Sequence, residues 1–281
     1  MPGAFNAMTA RLIERAGFEA VYVSGAGLTN ATAGVPDIGL VGMDEWVRLV
    51  GYICDATSLP VVADVDTGFG GPSNVARTVR ELERVGLAGL HLEDQEFPKR
   101  CGHLAGKDVV PADEMCAKLD AAAGARRDKD FLIIARTDAR AVEGLDAAVE
   151  RAKRYLAAGA DAIFPEAMQS AEELKQFAQA VGAPETKLLA NMTEFGKTPL
   201  MNVDELGRIG YRMVIFPQTA FRLANKAMLD GLNQLKQHGT QRDLVEKMQT
   251  RQELYDVLDY DPNAELWMPD KGATNDTNGP E

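Results

Sequence analysis

Short apolar runs punctuate the chain at positions 20–24, 61–65, 89–93, 132–136, 162–165, 188–191 and 213–216. Their apolarity is continuous rather than alternating, which predicts strands buried on both faces, as in a parallel sheet. Helical periodicity falls between them, at 6–16, 73–85, 112–123, 146–158, 170–181, 203–209, 219–237 and 240–258. Ser170 with Glu173 and Asn202 with Glu205 have capping-box spacing, and Gly86, Gly159, Gly182 and Gly210 stand where helices would stop before the next strand. The pattern is that of an α/β protein.

The spacing of the strands suits repeated αβ units, and 281 residues suit one (β/α)8 barrel of about 250 residues plus a tail. A barrel needs eight strands, and only MPGAF precedes the first helix pattern. The first strand is therefore expected to be clipped or very short, the barrel opened or weakly closed there, and Met1 near the catalytic face. A doubly wound open sheet, which needs no eighth strand, is the alternative. Residues 1–260 read as one domain. From 261 to 281 the chain is polar and aperiodic, and is expected to be disordered or to lie on a neighbouring subunit.

Composition narrows the partners. With 30 Lys and Arg against 42 Asp and Glu, the net charge of −12 disfavours nucleic acid and anionic membranes. No uncharged apolar stretch reaches the roughly 18 residues of a membrane span, and the N-terminus has neither a signal core nor an Arg-rich transit pattern. A soluble, cytoplasmic protein acting on a small molecule is expected. Cys54, Cys101 and Cys116 lack CxxC spacing, which suits a reducing compartment.

Polar residues stand where the strands finish: Ser24, Asp64 and Asp66, Glu93, Arg136, Glu166 and Asn191. In a parallel barrel those ends open on one face. Any single one could merely cap the following helix, but six ends together predict a site. Asp64 and Asp66, two apart, would project to one side of an extended chain, with Glu93 ending the next strand, and hard carboxylate oxygens suit Mg²⁺. Zinc fits poorly, because His91, His103 and His238 have no partners at ligand spacing. The glycines of SGAG (24–27) and GFGGP (68–72) do not complete a nucleotide-binding fingerprint, and suit backbone turns or a carboxylate nest better. In Lys99-Arg100-Cys101-Gly102-His103, two cations before a thiol favour its thiolate, and the glycine lets the backbone bend close to a ligand. A basic loop with an incidental cysteine is the plainer reading of that stretch.

The motifs VPDIGL, DVDTGFGG, LEDQ, PKRCGH, ARTDA, FPEA, NMTEFGKTPL and FPQTAFR, in that order, resemble the isocitrate lyase and phosphoenolpyruvate mutase superfamily, most closely its small members, the 2-methylisocitrate lyases. The resemblance implies a Mg²⁺-dependent barrel that cleaves a C–C bond, usually as a homotetramer exchanging C-terminal helices between subunits. It implies metal carboxylates at Asp64 and Asp66, with Glu93 completing a water-bridged shell. Ser24, Gly25, Ala26 and Arg136 would receive the carboxylate of a 2-oxo acid product. Cys101 would protonate the departing carbanion, and Lys99, Arg100, Gly102 and His103 belong to the same loop. Glu166, Asn191, Thr193 and Arg222 match positions around the dicarboxylate part of the substrate, and Tyr22 and Asp37 match further pocket positions. The substrate implied is 2-methylisocitrate. Dimethylmalate lyases and oxaloacetate hydrolases share the barrel and metal site, while phosphonate mutases match the KRCGH stretch less well. An inactive binding relative and an NAD-dependent dehydrogenase are the readings from other classes.

Overall fold

A computed structural model describes residues 1–100, 102, 106–264 and 266. Cys101, His103 and nearly all of the expected tail after 264 lie outside them. Eight strands form one parallel sheet in sequence order: β1 (Gly3–Ala4), β2 (Val21–Val23), β3 (Val61–Asp64), β4 (Gly89–Glu93), β5 (Leu132–Thr137), β6 (Ala162–Pro165), β7 (Lys187–Asn191) and β8 (Met213–Ile215). The fold is a (β/α)8 barrel, not an open doubly wound sheet.

The first strand is as short as expected, two residues, yet the seam expected to be open or weakly closed is bridged. Pro2 pairs in parallel with Phe216, Gly3 N–H donates to Phe216 O (2.9 Å) and Phe216 N–H donates to Met1 O (3.0 Å). The expectation for Met1 is corrected. Its amino group donates to Val214 O (2.8 Å), and its side chain packs against the barrel interior, as do Leu132 and Met213, which begin their strands, so it sits at the end of the barrel opposite the catalytic face.

Two hydrophobic layers follow from the period of two along a strand. Tyr22, Val62, Ile134, Phe164, Leu189 and Ile215 fill the barrel, while alternate residues such as Val61, Ala63, Ile133, Leu188 and Ala190 meet the helices outside. The helices are α1 (Ala7–Arg15), α2 (Gly25–Ala33), α3 (Met43–Asp55), α4 (Pro72–Arg84), α5 (Ala112–Ala125), α6 (Ala139–Val142), α7 (Leu145–Ala157), α8 (Ala171–Ala180), α9 (Val203–Arg208), α10 (Thr219–His238) and α11 (Arg251–Leu258). Ser170 and Asn202 cap α8 and α9 through the N–H groups of Glu173 and Glu205 (both 3.0 Å).

The single helix expected over 240–258 is instead a 3₁₀ turn, Arg242–Lys247, followed by α11. Met248 is extended, and Thr250 closes a capping box with Glu253 that restarts the helix. Helix α2 was hidden by its sequence. GAGLTNATA has no apolar stripe and reads as turns, yet Ser24 caps it and Gly34, with φ 66°, ends it.

Helix α10 carries no buried residue along its 20 positions. Leu223, Met228, Leu229 and Leu232 are each more than half exposed. No helix among the described residues is long and apolar enough to cross a membrane.

Candidate active site

A cavity of about 790 Å³ opens where the strands end. Tyr22 and Ser24 reach it from β2, Ala26 from the first turn of α2, and Asp37 from the loop after that helix. Asp64, Glu93, Arg136, Glu166 and Asn191 line it from the ends of β3 to β7, and Thr193 and Arg222 from beyond. Lys99, Arg100 and Gly102 complete its wall from the loop after β4. Gly25 and Asp66 sit just behind the wall: a Cβ added to Gly25 would come 2.7 Å from Asp64 Oδ2 and 3.5 Å from Asp66 Oδ1. The sequence-derived set is thus gathered in one place, Cys101 and His103 excepted.

The reason offered for pairing Asp64 with Asp66 needs correction. Strand β3 ends at Asp64, and Asp66 has φ 50°, so the two carboxylates do not share a face of an extended strand. They meet because the chain turns left-handed after the strand, and the Asp66 N–H donates to Asp64 Oδ1 (2.9 Å). Asp66 in a sparsely populated backbone region is strain of the kind that marks functional sites.

Carboxylates crowd this end of the barrel, and Lys99 lies among them, with Nζ 2.5 Å from Asp66 Oδ1 and 2.6 Å from Asp37 Oδ1. Burial and the neighbouring Asp64 push Asp66 up to about 7. Glu93 is also raised, chiefly by burial. For Asp64, burial is outweighed by the Lys99 and Arg136 charges and the Asp66 N–H, which hold it low. Glu93 Oε1 is buried with no hydrogen-bond partner. Among the described residues no three His, Cys, Asp or Glu side chains form a ready-made metal cage. An open set of two or three carboxylates with excess negative charge nevertheless fits Mg²⁺, which keeps most of its waters. The donor chemistry therefore suits the ion.

Burial lowers His91 to about 4, so its ring is neutral. The Tyr22 hydroxyl lies 2.7 Å from His91 Nε2, and His91 Nδ1 lies 3.7 Å from Asp64 Oδ1. Tyr22 and His91 Nε2 thus share a buried hydrogen bond, while Nδ1 faces the Asp64 carboxylate without a hydrogen bond of its own.

Arg136 is the central cation. Nε is 2.9 Å from Asp138 Oδ2 and 3.3 Å from Glu93 Oε2, Nη1 is 3.3 Å from Glu166 Oε2, and the guanidinium lies over the Phe164 ring. Glu166 also accepts from Asn191 Nδ2 (3.3 Å) and from the Ala167 N–H (2.8 Å). Arg222 pairs with Glu194 (3.6 Å) and stacks on Phe195, whose ring is 92% exposed. Ser24 Oγ caps α2 through the Gly27 N–H and accepts from Gln218 Nε2 (3.0 Å). The first turn of α2, whose opening N–H groups have no partner within the helix, brings Ala26 to the cavity wall, and a helix start of this kind suits a carboxylate.

Gln218, Glu194, Phe195 and Asp138 were not anticipated. All four stand inside the quoted motifs, and Asp138 has the plainest signal, two residues after Arg136 in ARTDA. Gln95 was missed too: its side chain exchanges two hydrogen bonds with the Arg100 backbone (both 2.9 Å), fixing the start of the basic loop.

The profile of the family described as phosphoenolpyruvate phosphomutase matches residues 1–236. The chain belongs to this family. The 2-methylisocitrate lyase of Aeropyrum pernix is 52% identical over 259 residues, covering 92% of this chain and 82% of that protein. That of Escherichia coli is 47% identical, covering 92% and 86%. Among solved structures, a 2,3-dimethylmalate lyase of the same superfamily superposes with a TM-score of 0.87 at 38% identity, covering 91% of this chain and 85% of that one. An oxaloacetate acetylhydrolase bound to 3,3-difluorooxalacetate gives 0.85 at 36%, covering 91% and 86%. This family member is an enzyme of the carbon–carbon lyase type.

Proposed function

We propose that this lyase cleaves 2-methylisocitrate to pyruvate and succinate with Mg²⁺ as cofactor. The observation that carries the reading is the pair of arginines on one cavity, Arg136 buried at a strand end and Arg222 half-exposed on α10, with Asn191 and Thr193 on the same wall. Arg136 would take the carboxylate on C2 and Arg222 the distal one, which a tricarboxylate has in addition to the one on C3 and a malate-type dicarboxylate lacks. The named relatives support the same substrate.

In the reaction the C2 hydroxyl loses its proton to solvent, from which the Cys101 thiolate later regains one, C2 becomes the ketone of pyruvate, and the C2–C3 electron pair passes to C3, delocalised into its carboxylate. The Cys101 thiol then gives a proton to C3, completing succinate, and such positioned acid catalysis contributes about 10² to 10⁴ in rate. Arg100 and Gly102, the neighbours of Cys101 in the chain, line the cavity, which supports that assignment. Arg136 and the N–H groups opening α2 hold the pyruvate carboxylate. Fixed donors of this kind stabilise developing charge without reorganising. Asp64 and Asp66, with Glu93, would hold Mg²⁺, which supplies positive charge against the charge developing on substrate oxygens.

A malate-type substrate is the second reading, favoured by the likeness to the dimethylmalate lyase structure. Incubating the enzyme with Mg²⁺ and 2-methylisocitrate and following pyruvate and succinate by NMR tests the first. No product from 2-methylisocitrate, with turnover of 2,3-dimethylmalate, would replace it with the second.

A further inference from the structure

Lys107, between β4 and α5, buries a charge that the chemistry above does not use. Its side chain is 2% exposed. Burying an ammonium is costly unless it is matched by charge and hydrogen bonds. Nζ donates to the carbonyl of Gly102 (2.5 Å) and to Asp138 Oδ1. Asp138 is itself fully buried, and it takes Arg136 through both oxygens, Nε to Oδ2 at 2.9 Å and Nη2 to Oδ1 at 3.3 Å. One carboxylate is thus shared between a lysine and the central arginine.

Asp138 cannot drift toward either cation. Its backbone N–H donates to Asp94 Oδ1 (2.8 Å), and the other oxygen of Asp94 accepts from the hydroxyls of Thr137 and Tyr155 (both 2.8 Å). From that fixed point the two cations are placed. Lys107 and Arg136 both lean on Asp138, which anchors the guanidinium at 2.9 Å, while Glu93 and Glu166 meet it at 3.3 Å each. Through the Gly102 carbonyl, Lys107 also seats the residue after Cys101 against Arg136, where a Cβ would lie 2.4 Å from Nη2 and 2.5 Å from Glu166 Cγ.

We propose that Lys107 is a positioning residue: with Asp138 it fixes the Gly102 backbone and the Arg136 guanidinium in register for the reaction. The proposal rests on the lyase reading for what Arg136 binds, but not on which substrate is cleaved.

The test compares Lys107→Met, Lys107→Arg and, as a surface control, Lys153→Met. Steady-state kinetics use whichever of methylisocitrate, isocitrate, dimethylmalate and oxaloacetate the wild type turns over best. Hydrogen–deuterium exchange is followed over 95–110 and over β5. Misplacement by about 1 Å can cost 10²-fold, so Lys107→Met is expected to lose about 30- to 100-fold in kcat. KM should change less than about fivefold, with exchange faster at 99–107 but unchanged in β5. Lys107→Arg, which keeps the charge, should recover part of kcat, and Lys153→Met should match the wild type. A kcat for Lys107→Met within threefold of wild type, or unchanged exchange at 99–107, would overturn the proposal. If the wild type turns over none of the four substrates, the reading of function fails, while the exchange measurement still decides the role of Lys107.

Discussion

The Gly102 backbone rests on Arg136 so closely that a methyl group would come 2.4 Å from Nη2. The guanidinium cannot swing aside cheaply, because Asp138, Glu93 and Glu166 hold it from three directions. Gly102→Ala is therefore expected to cost at least tenfold in kcat while the barrel stays folded, since the strain falls on a loop and not on the core. Circular dichroism alongside kinetics checks this, and wild-type turnover in Gly102→Ala would show that the loop does not sit here during the reaction.

Metal removal tests the carboxylate cluster. Asp66→Ala should abolish turnover and leave the melting profile near that of wild type, because Asp66 lies beyond the end of β3 and its tie to a strand, the Glu93 N–H to its carbonyl (2.9 Å), is made by backbone that alanine keeps. Dialysis against EDTA should do the same reversibly, with Mg²⁺ restoring activity. Full activity in EDTA would remove the metal from the mechanism.

Much of this site was legible in the chain because strand ends in a parallel barrel converge whatever lies between them, so Ser24, Asp64, Glu93, Arg136, Glu166 and Asn191 could be placed together from periodicity alone. What was not legible depends on contacts distant in sequence. Gln218 meets Ser24 only when the barrel brings its last strand beside its first, and Glu194 meets Arg222 only once α10 follows β8. Asp66 does lie beside Asp64, but not through strand alternation, since nothing in VVADVDTG announces a left-handed residue. Helix α2 escaped because its two leading glycines suggest a turn, whereas its cap and the neighbouring carboxylates make the close approach of Gly25 useful.

The exposed face of α10 predicts association. Exposed apolar patches are unusual on a monomer, and Met228, Leu229 and Leu232, which share one side of the helix, are each 56% to 62% exposed. We expect a homotetramer in which this helix packs on a neighbouring subunit. Leu229→Asp with Leu232→Asp should lower the mass seen by light scattering coupled to gel filtration. An unchanged mass would place the assembly contacts elsewhere.

Thiol labelling should separate the cysteines. Burial and, less, Asp55 push Cys54 up to about 12, so only about 10⁻⁴ of it is thiolate at pH 8. Iodoacetamide at that pH is expected to modify Cys101 first, with loss of activity, and to leave Cys54 intact until the protein unfolds. Cys101→Ser should lose most of kcat and retain Mg²⁺ affinity. Equal damage from Cys54→Ser or Cys116→Ser would reassign the acid.

Substrate choice turns on Arg222. Its guanidinium is half-exposed, 3.6 Å from Glu194 and stacked on Phe195, so it is held at the cavity without being consumed by Glu166, which Arg136 and Asn191 engage. A charge-assisted contact to a distal carboxylate contributes about 1.5 to 3 kcal/mol, and the exposure of Arg222 puts it at the lower end, roughly tenfold in kcat/KM. Arg222→Ala should therefore slow methylisocitrate by about that factor and dimethylmalate, which lacks the distal carboxylate, hardly at all. Isocitrate differs by one methyl group, worth only about 1 to 3 kcal/mol in a pocket, so it should remain a measurable, poorer substrate. Measuring kcat/KM for all three on both proteins decides the matter. If dimethylmalate were the better substrate of the wild type, or if Arg222→Ala slowed both equally, the distal carboxylate would have no partner at Arg222 and the malate-type reading would stand.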